Sequence, residues 1–252
     1  MNKFNEHLTY TSNEKNIIEQ LYEKKINNKI PISKSWNEIV FLPRQNLANI
    51  IGIEYIYKKI INSVGNIFEF GCRFGPKTSL FYNLKKIYEP YNYNRNIISF
   101  DTFDGFATFD EKDKNKNNKS FIKENNYNVT KNYEEELNEI MKLHEENAPL
   151  SHISQYQIIK GDASETLMDW LDSNKHSIAS LVYFDMDVYK PTKDCLHNIL
   201  KICHKGSVLC FDEINHKIWP GETLAILEEL NILNYKIEGN PYICNMGIIT
   251  LE

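Results

Sequence analysis

Ile67-Phe68-Glu69-Phe70-Gly71-Cys72-Arg73-Phe74-Gly75 is the stretch whose reading decides the fold. An apolar run ends around an acid, two glycines follow in G-x-x-x-G spacing, and a helical pattern begins at Pro76. A parallel strand turns into a helix in this way beside a nucleoside, because glycine lets the backbone come close to a ligand. The motif is short and weak by itself. It gains weight from three later strand-like runs that also end in acids: Asp101, Asp185 with Asp187, and Asp212 with Glu213.

Outward from this stretch, short apolar runs alternate with helical patterns. Strands are expected at 67–70, 96–100, 155–159, 180–184 and 207–211, with two more at 235–238 and 246–251 joined by a turn at Gly239-Asn240-Pro241. Between them, Leu80, Phe81, Leu84 and Tyr88 share one helical face, and 164–171 forms another helix. A further helix starts at Pro191 and ends near Gly206, and the last covers 222–233. The alternation implies a Rossmann-like, doubly wound α/β fold: a seven-stranded, mostly parallel sheet, helices on both faces, and an antiparallel last strand.

Two regions depart from this rhythm. Residues 1–64 are polar and helix-rich, with Ile17, Ile18, Leu21 and Tyr22 at helical spacing, and are expected to form an N-terminal helical cap or a dimer surface. The remainder, 65–252, carries a polar insertion at about 105–150, read as a lid or as a solvated loop. Its 110–119 stretch is mostly Asp, Glu, Lys and Asn, and 134–146 reads as a charged helix.

Composition narrows the function classes. A chain of 252 residues holds one large α/β domain or two small ones, and its formal charge of −5 argues against general nucleic-acid binding. The five cysteines (Cys72, Cys195, Cys203, Cys210, Cys244) show no C-x-x-C spacing, so free thiols in a reducing compartment are expected. No apolar run approaches the ~20 residues of a membrane span, and the first residues lack the apolar core of a signal peptide. A soluble cytoplasmic protein with a small-molecule substrate is the expectation.

In a parallel sheet the residues just past each strand collect on one rim, beside the ligand crevice. Glu69, Asp101, Asp162, Asp185, Asp187, Asp212 and Glu213 are all placed there by the strand reading. Seven acids on one edge repel one another unless cations sit among them. A sulfonium cofactor and a divalent ion each supply positive charge. Asp101 stands where an acid accepts from ribose hydroxyls. Asp162 can accept from an adenine amino group or, with Glu165 three residues on, form a capping box. The pairs Asp185-x-Asp187 and Asp212-Glu213 suit Mg²⁺, which prefers hard carboxylate oxygens. They can equally be surface carboxylates or caps of the helices that follow.

These residues resemble a known group. Glu69 to Gly75 is similar to motif I of class I S-adenosylmethionine-dependent methyltransferases. Phe100-Asp101-Thr102-Phe103-Asp104-Gly105-Phe106, Gly161-Asp162-Ala163-Ser164-Glu165, Asp185-Met186-Asp187-Val188-Tyr189-Lys190-Pro191-Thr192 and Asp212-Glu213 resemble the macrocin O-methyltransferase family, which methylates macrolide sugar hydroxyls. The resemblance covers roughly 65–230. It implies a cofactor site of Glu69, Gly71, Gly75, Asp101, Thr102, Phe103, Asp162, Ala163 and Asp185, and Mg²⁺ on Asp185, Asp187, Asp212 and Glu213. Two departures stand out: the family has a second aspartate where Glu213 stands, and serine where Pro191 stands.

The implied reaction is in-line displacement at a sulfonium methyl, with Asp187 or His216 as base. Lys190 is a candidate to balance the acids, and Tyr189 and Trp219 to wall the substrate. The expected acceptor is a sugar or other small hydroxylated metabolite. The alternatives are a metal-dependent phosphatase or nucleotide-sugar transferase using Asp185-x-Asp187, and a non-catalytic partner subunit with the same fold. A nicotinamide enzyme fits poorly, for want of a G-x-G-x-x-G run.

Overall fold

The computed structural model describes residues 12–27, 36–106, 109–114 and 127–252. Contacts divide the chain into two units, 1–51 and 52–252. In the first, helix α1 (Ser12–Ile26) and a short 3₁₀ helix (Trp36–Phe41) are followed by the opening of α2 (Arg44–Ile60). Arg44 pairs with Glu14 at 3.0 Å, and Asn46 donates to the Tyr22 hydroxyl.

The second unit is built on seven strands: β1 (Asn66–Phe70), β2 (Ile97–Asp101), β3 (Tyr156–Lys160), β4 (Ala179–Phe184), β5 (Cys203–Phe211), β6 (Ile237–Gly239) and β7 (Gly247–Thr250). Their order is β3-β2-β1-β4-β5-β7-β6. Only β7 opposes its neighbours; β1 to β5 are parallel. This is the doubly wound arrangement expected from the alternation, and the order reverses between β1 and β4. Ligand crevices open at such a point.

Each face of the sheet is covered by helices. On one side α2 (from Gly52), α3 (Pro76–Tyr88) and α4 (Tyr133–Glu146) pack Ile56, Tyr57, Phe81, Tyr82, Leu137 and Met141 against Ile67, Leu181 and Val208. On the other, α5 (Ala163–Ser173), α6 (Tyr189–Ile199) and α7 (Gly221–Glu229) pack Leu167, Trp170, Leu196, Ile199 and Ile226 against Phe68, Val182 and Leu209. The second half of α2 thus belongs to the sheet unit, although the sequence placed its start of the core near residue 65.

Four phenylalanines lock the strand ends in register. Phe100, Phe70, Phe184 and Phe211 stack in a row across β2, β1, β4 and β5, with centroids 5.1, 5.2 and 4.7 Å apart. Each is fully buried and each is paired with the next in the strand ladder. Aromatic pairs of this kind contribute about 0.5–1.5 kcal/mol each beyond the area they bury. The row has a functional consequence: the residues around its end (Gly71, Asp101, Asp185, Asp212) emerge at one level of one edge.

Three local expectations change. Gly206 does not end α6; it lies inside β5 with φ +91°, at the irregularity that shifts the β4–β5 register between Ala179 and Leu181. Helix α6 gives way instead to a single-turn helix at Leu200–Ile202. Helix α7 ends at Glu229, before the expected 233. Finally, 134–146 is not merely polar: Leu137 and Met141, one turn apart, are buried in the core, which suffices to dock an otherwise charged helix. The insertion is described at 105–106, 109–114 and from 127; its residues 107–108 and 115–126 lie outside the described residues.

Candidate active site

A cleft with about 790 Å³ of empty space, open solvent included, lies at the ends of β1 to β4. Its floor is the glycine turn after β1. Gly71 has φ +90°, and a Cβ there would lie 2.0 Å from the carbonyl oxygen of Asp185. Only glycine lets β1 and β4 close together at this point. Gly75 serves packing: it has φ +73°, caps α3, and its missing Cβ makes room for Leu137.

Asp101 organises the cleft wall. One carboxylate oxygen accepts the Arg73 N–H at 2.7 Å and the other accepts the Phe103 N–H at 2.6 Å. The acid therefore ties the β1 turn to the β2 turn. Burial pushes its pKa up, and these two backbone bonds pull against that. Thr102 donates to the Gly105 carbonyl, shaping the same turn. Asp162 caps α5 by accepting from the Ser164 N–H at 2.8 Å, one residue short of the bond a capping box uses. Asp101, Thr102, Asp162, Ala163 and Asp185 all line the cleft with Gly71.

Three residues of the expected cofactor set lie elsewhere. Glu69 is fully buried behind the cleft, where it accepts from the hydroxyls of Thr78 (2.6 Å) and Ser99 (2.8 Å). Burial raises its carboxyl to about 7. Phe103 puts its side chain into the core and offers only its N–H to Asp101. Gly75 packs on α4, as above. The cleft has further walls: Arg73 and Phe106, which stand inside the quoted motifs without a role assigned to them, and Tyr127, which no motif marks. The Arg73 guanidinium lies 4.8 Å from the Tyr127 ring centroid, and Phe106 stands 5.1 Å from Tyr127 and 5.7 Å from Trp219. Trp219 is thus part of an aromatic group beside the cleft. Tyr189 is not: its hydroxyl donates to Glu228 and its N–H to Asp113, on the α6–α7 side.

The second group of acids sits at the ends of β4 and β5. Asp187 lines the cleft in a left-handed conformation, φ 61°, a strained geometry for a non-glycine residue. Burial, then Asp185 and Asp212, push its carboxyl well above the ordinary range. Asp185 rises to about 6 by burial, against the pull of Lys77. Lys77, in the first turn of α3, forms an ion pair with Asp185. Burial works against its charge, but Asp185 and Asp212 outweigh burial and hold it protonated above the usual lysine value. Asp212 accepts from the Tyr183 hydroxyl at 2.5 Å. Glu213 is raised to about 9 by burial and by Asp187, and its Oε2 lies 3.0 Å from His216 Nδ1. His216 accepts the Trp219 N–H on that same nitrogen, and burial lowers its pKa. Neither Asp212, Glu213 nor His216 lines the cleft.

Two residues in this region escaped the sequence reading. Lys77 is one; the cation expected there, Lys190, instead pairs with Asp194 at 2.5 Å on the surface. Glu222 is the other. It is fully buried at the start of α7 and accepts from the N–H groups of Met186 (3.2 Å), Asp187 (3.4 Å) and Glu213 (3.1 Å), so one carboxylate binds both acid-bearing turns. No motif marks it. A glutamate in a helix first turn reads as an ordinary favourable contact with the helix dipole.

A parallel sheet with a glycine turn at its switch point, an acid bridging the next turn and a cleft between them is the architecture of the class I S-adenosylmethionine-dependent methyltransferases. The chain is an enzyme of that class. No protein-family profile matches the sequence, and no curated protein does. Among solved structures, it is similar to CalS11, described as a calicheamicin methyltransferase, at 28% identity and a TM-score of 0.91, covering 99% of this chain and 97% of the other. A second CalS11 structure, without ligand and described as a TDP-rhamnose 3'-O-methyltransferase, matches at 27% identity and a TM-score of 0.83 over 99% of both chains. The O-methyltransferase NovP shares the fold at 15% identity, with a TM-score of 0.59 over 81% of this chain.

Proposed function

We propose that the protein transfers the methyl group of S-adenosylmethionine to a hydroxyl of a small sugar, with a nucleotide-linked sugar as the first acceptor to test. The observation that carries this reading is the end-to-end likeness to CalS11, a sugar O-methyltransferase by its description, together with the cleft that Gly71, Asp101 and Asp162 line. Neither a phosphatase nor a nucleotide-sugar transferase has that support.

The residues fit the cofactor. The Gly71 turn leaves space that a Cβ would fill, and Asp101 and Asp162 line the cleft and keep lone pairs beyond the backbone N–H groups they accept. Gly71, Asp101, Thr102, Asp162 and Ala163 would hold the nucleoside. The sulfonium supplies an electrophilic methyl: the O–CH₃ bond forms as the S–CH₃ bond breaks and sulfur keeps the electron pair. The chain orients the acceptor and takes its proton. Asp187 is assigned as that base because it lines the cleft and is held in place by its strained turn and by Glu222. Burial, then Asp185 and Asp212, raise its pKa well above the ordinary range, so its carboxylate is a stronger base when ionised. His216 stands behind the cleft wall and is the weaker candidate.

The sequence also called for Mg²⁺ on Asp185, Asp187, Asp212 and Glu213. The donors are of the right hard type. Their arrangement does not suit the ion: Asp185 is taken by Lys77, Asp212 by Tyr183, and Glu213 faces His216. Among the described residues, no three acids, histidines or cysteines gather as a ligand shell. No step is therefore routed through a metal.

The test is calorimetry with S-adenosylhomocysteine, followed by mass spectrometry of a panel of nucleotide-linked sugars after incubation with S-adenosylmethionine. A gain of one methyl on a sugar hydroxyl supports the reading. Cofactor binding with no sugar methylated, but with methyl transfer to a phenol or an amine, would replace the acceptor class.

A further inference from the structure

We propose that Lys77 is the resident cation of the acid cluster, and that its fixed ammonium does the neutralising work for which a divalent ion was expected. The proposal deepens the methyl-transfer reading, since it concerns the same site.

The position of Lys77 is the first argument. It stands in the first turn of α3, directly after Pro76. The positive end of the helix dipole disfavours a cation there. A lysine in that place needs a compensating partner, and it has two. Its ammonium pairs with Asp185 at the end of β4. It lies 5.1 Å from the ring centroid of Tyr183. The hydroxyl of that same ring holds Asp212 at the end of β5. One charge is thus fixed between the two strand ends that carry the acids.

Access is the second argument. The Lys77 side chain is only 22% exposed and does not line the cleft, whereas Asp185 does. The ammonium reaches Asp185 from the helix side and leaves the cleft side to ligands. Being largely shielded from water, the pair is weakly screened by salt. A neutralised Asp185 leaves Asp187 as the cleft carboxylate with no hydrogen bond to its side chain among the described residues.

The experiment uses the full-length protein after treatment with EDTA. Melting temperature is measured with and without Mg²⁺ for the wild type, Lys77→Gln and Lys77→Arg. The expected result is no Mg²⁺ effect on the wild type or on Lys77→Arg. Lys77→Gln, with its acids bared, should gain a Mg²⁺-dependent rise of roughly 3–6 °C, the shift that Mg²⁺ at about ten times its Kd gives a chain of this size. A Mg²⁺-dependent rise in the wild type, or none in a folded Lys77→Gln, overturns the proposal. Should Lys77→Gln fail to fold, wild-type turnover decides: methyl transfer that persists in EDTA supports the assignment, and transfer abolished by EDTA and restored by Mg²⁺ refutes it. The melting arms do not depend on turnover. An incorrect acceptor class would therefore show as absent methylation with the Mg²⁺ pattern intact.

Discussion

Replacing Asp101 by asparagine should cripple cofactor binding while leaving the fold intact. The carboxylate accepts two backbone N–H groups, Arg73 at 2.7 Å and Phe103 at 2.6 Å, one on each oxygen. Asparagine keeps one acceptor oxygen and turns an NH₂ donor toward the other N–H. A donor left unsatisfied in a buried place costs about 1–3 kcal/mol, and here that energy holds the β1 and β2 turns together. The proposed acceptor of the ribose hydroxyls is lost from the same atom. At 1.4 kcal/mol per factor of ten, S-adenosylhomocysteine should bind about 10–100-fold more weakly. Calorimetric titration of the variant, with circular dichroism to establish that it is folded, measures this. A folded Asp101→Asn protein that binds S-adenosylhomocysteine within about threefold of the wild type would refute the assignment of this wall to the nucleoside.

Further outcomes follow from the packing. Gly71→Ala should abolish cofactor binding and lower the melting temperature, because its Cβ would meet the Asp185 carbonyl at 2.0 Å and its φ is +90°; wild-type melting would contradict it. Phe184→Ala, which breaks the buried aromatic row between Phe70 and Phe211, should cost about 3–5 kcal/mol in urea unfolding. Burial, then neighbouring Lys86, lowers Lys85 from the ordinary lysine value to about 7. Below pH 7 both the folded and unfolded chains carry that proton, so the burial penalty is felt in full. Between about 7 and 10.5 only the unfolded chain holds it, so this residue makes stability rise with pH, by up to about 1.4 kcal/mol per unit. Urea titrations at both ends of that window should show the rise in the wild type and its reduction in Lys85→Met.

The local chemistry of the strands and turns was legible in the sequence. Runs such as Ile67–Phe70 and Ser180–Phe184 are apolar apart from Glu69 and Ser180 because both faces of their strands are covered, which is how a buried parallel sheet reads. The acids after those runs marked the functional edge for the same reason: every parallel strand ends at the same side. What residue order could not convey was direction and partner. Glu69 lies one residue from the edge, and strand alternation turns it away from the cleft toward Thr78. Asp185 looked like a metal ligand until α3 brought Lys77 to it across 108 residues of chain. Glu222 looked like a helix-start acid until its helix was packed under two turns from different strands. The sequence by itself determined the doubly wound sheet and which edge of it is acidic, because periodicity and strand polarity are local properties. Only the tertiary structure decided which acids face the ligand and which cation answers them, because a charge is neutralised by whatever the fold brings within a few ångströms, and that neighbour is rarely near in the chain.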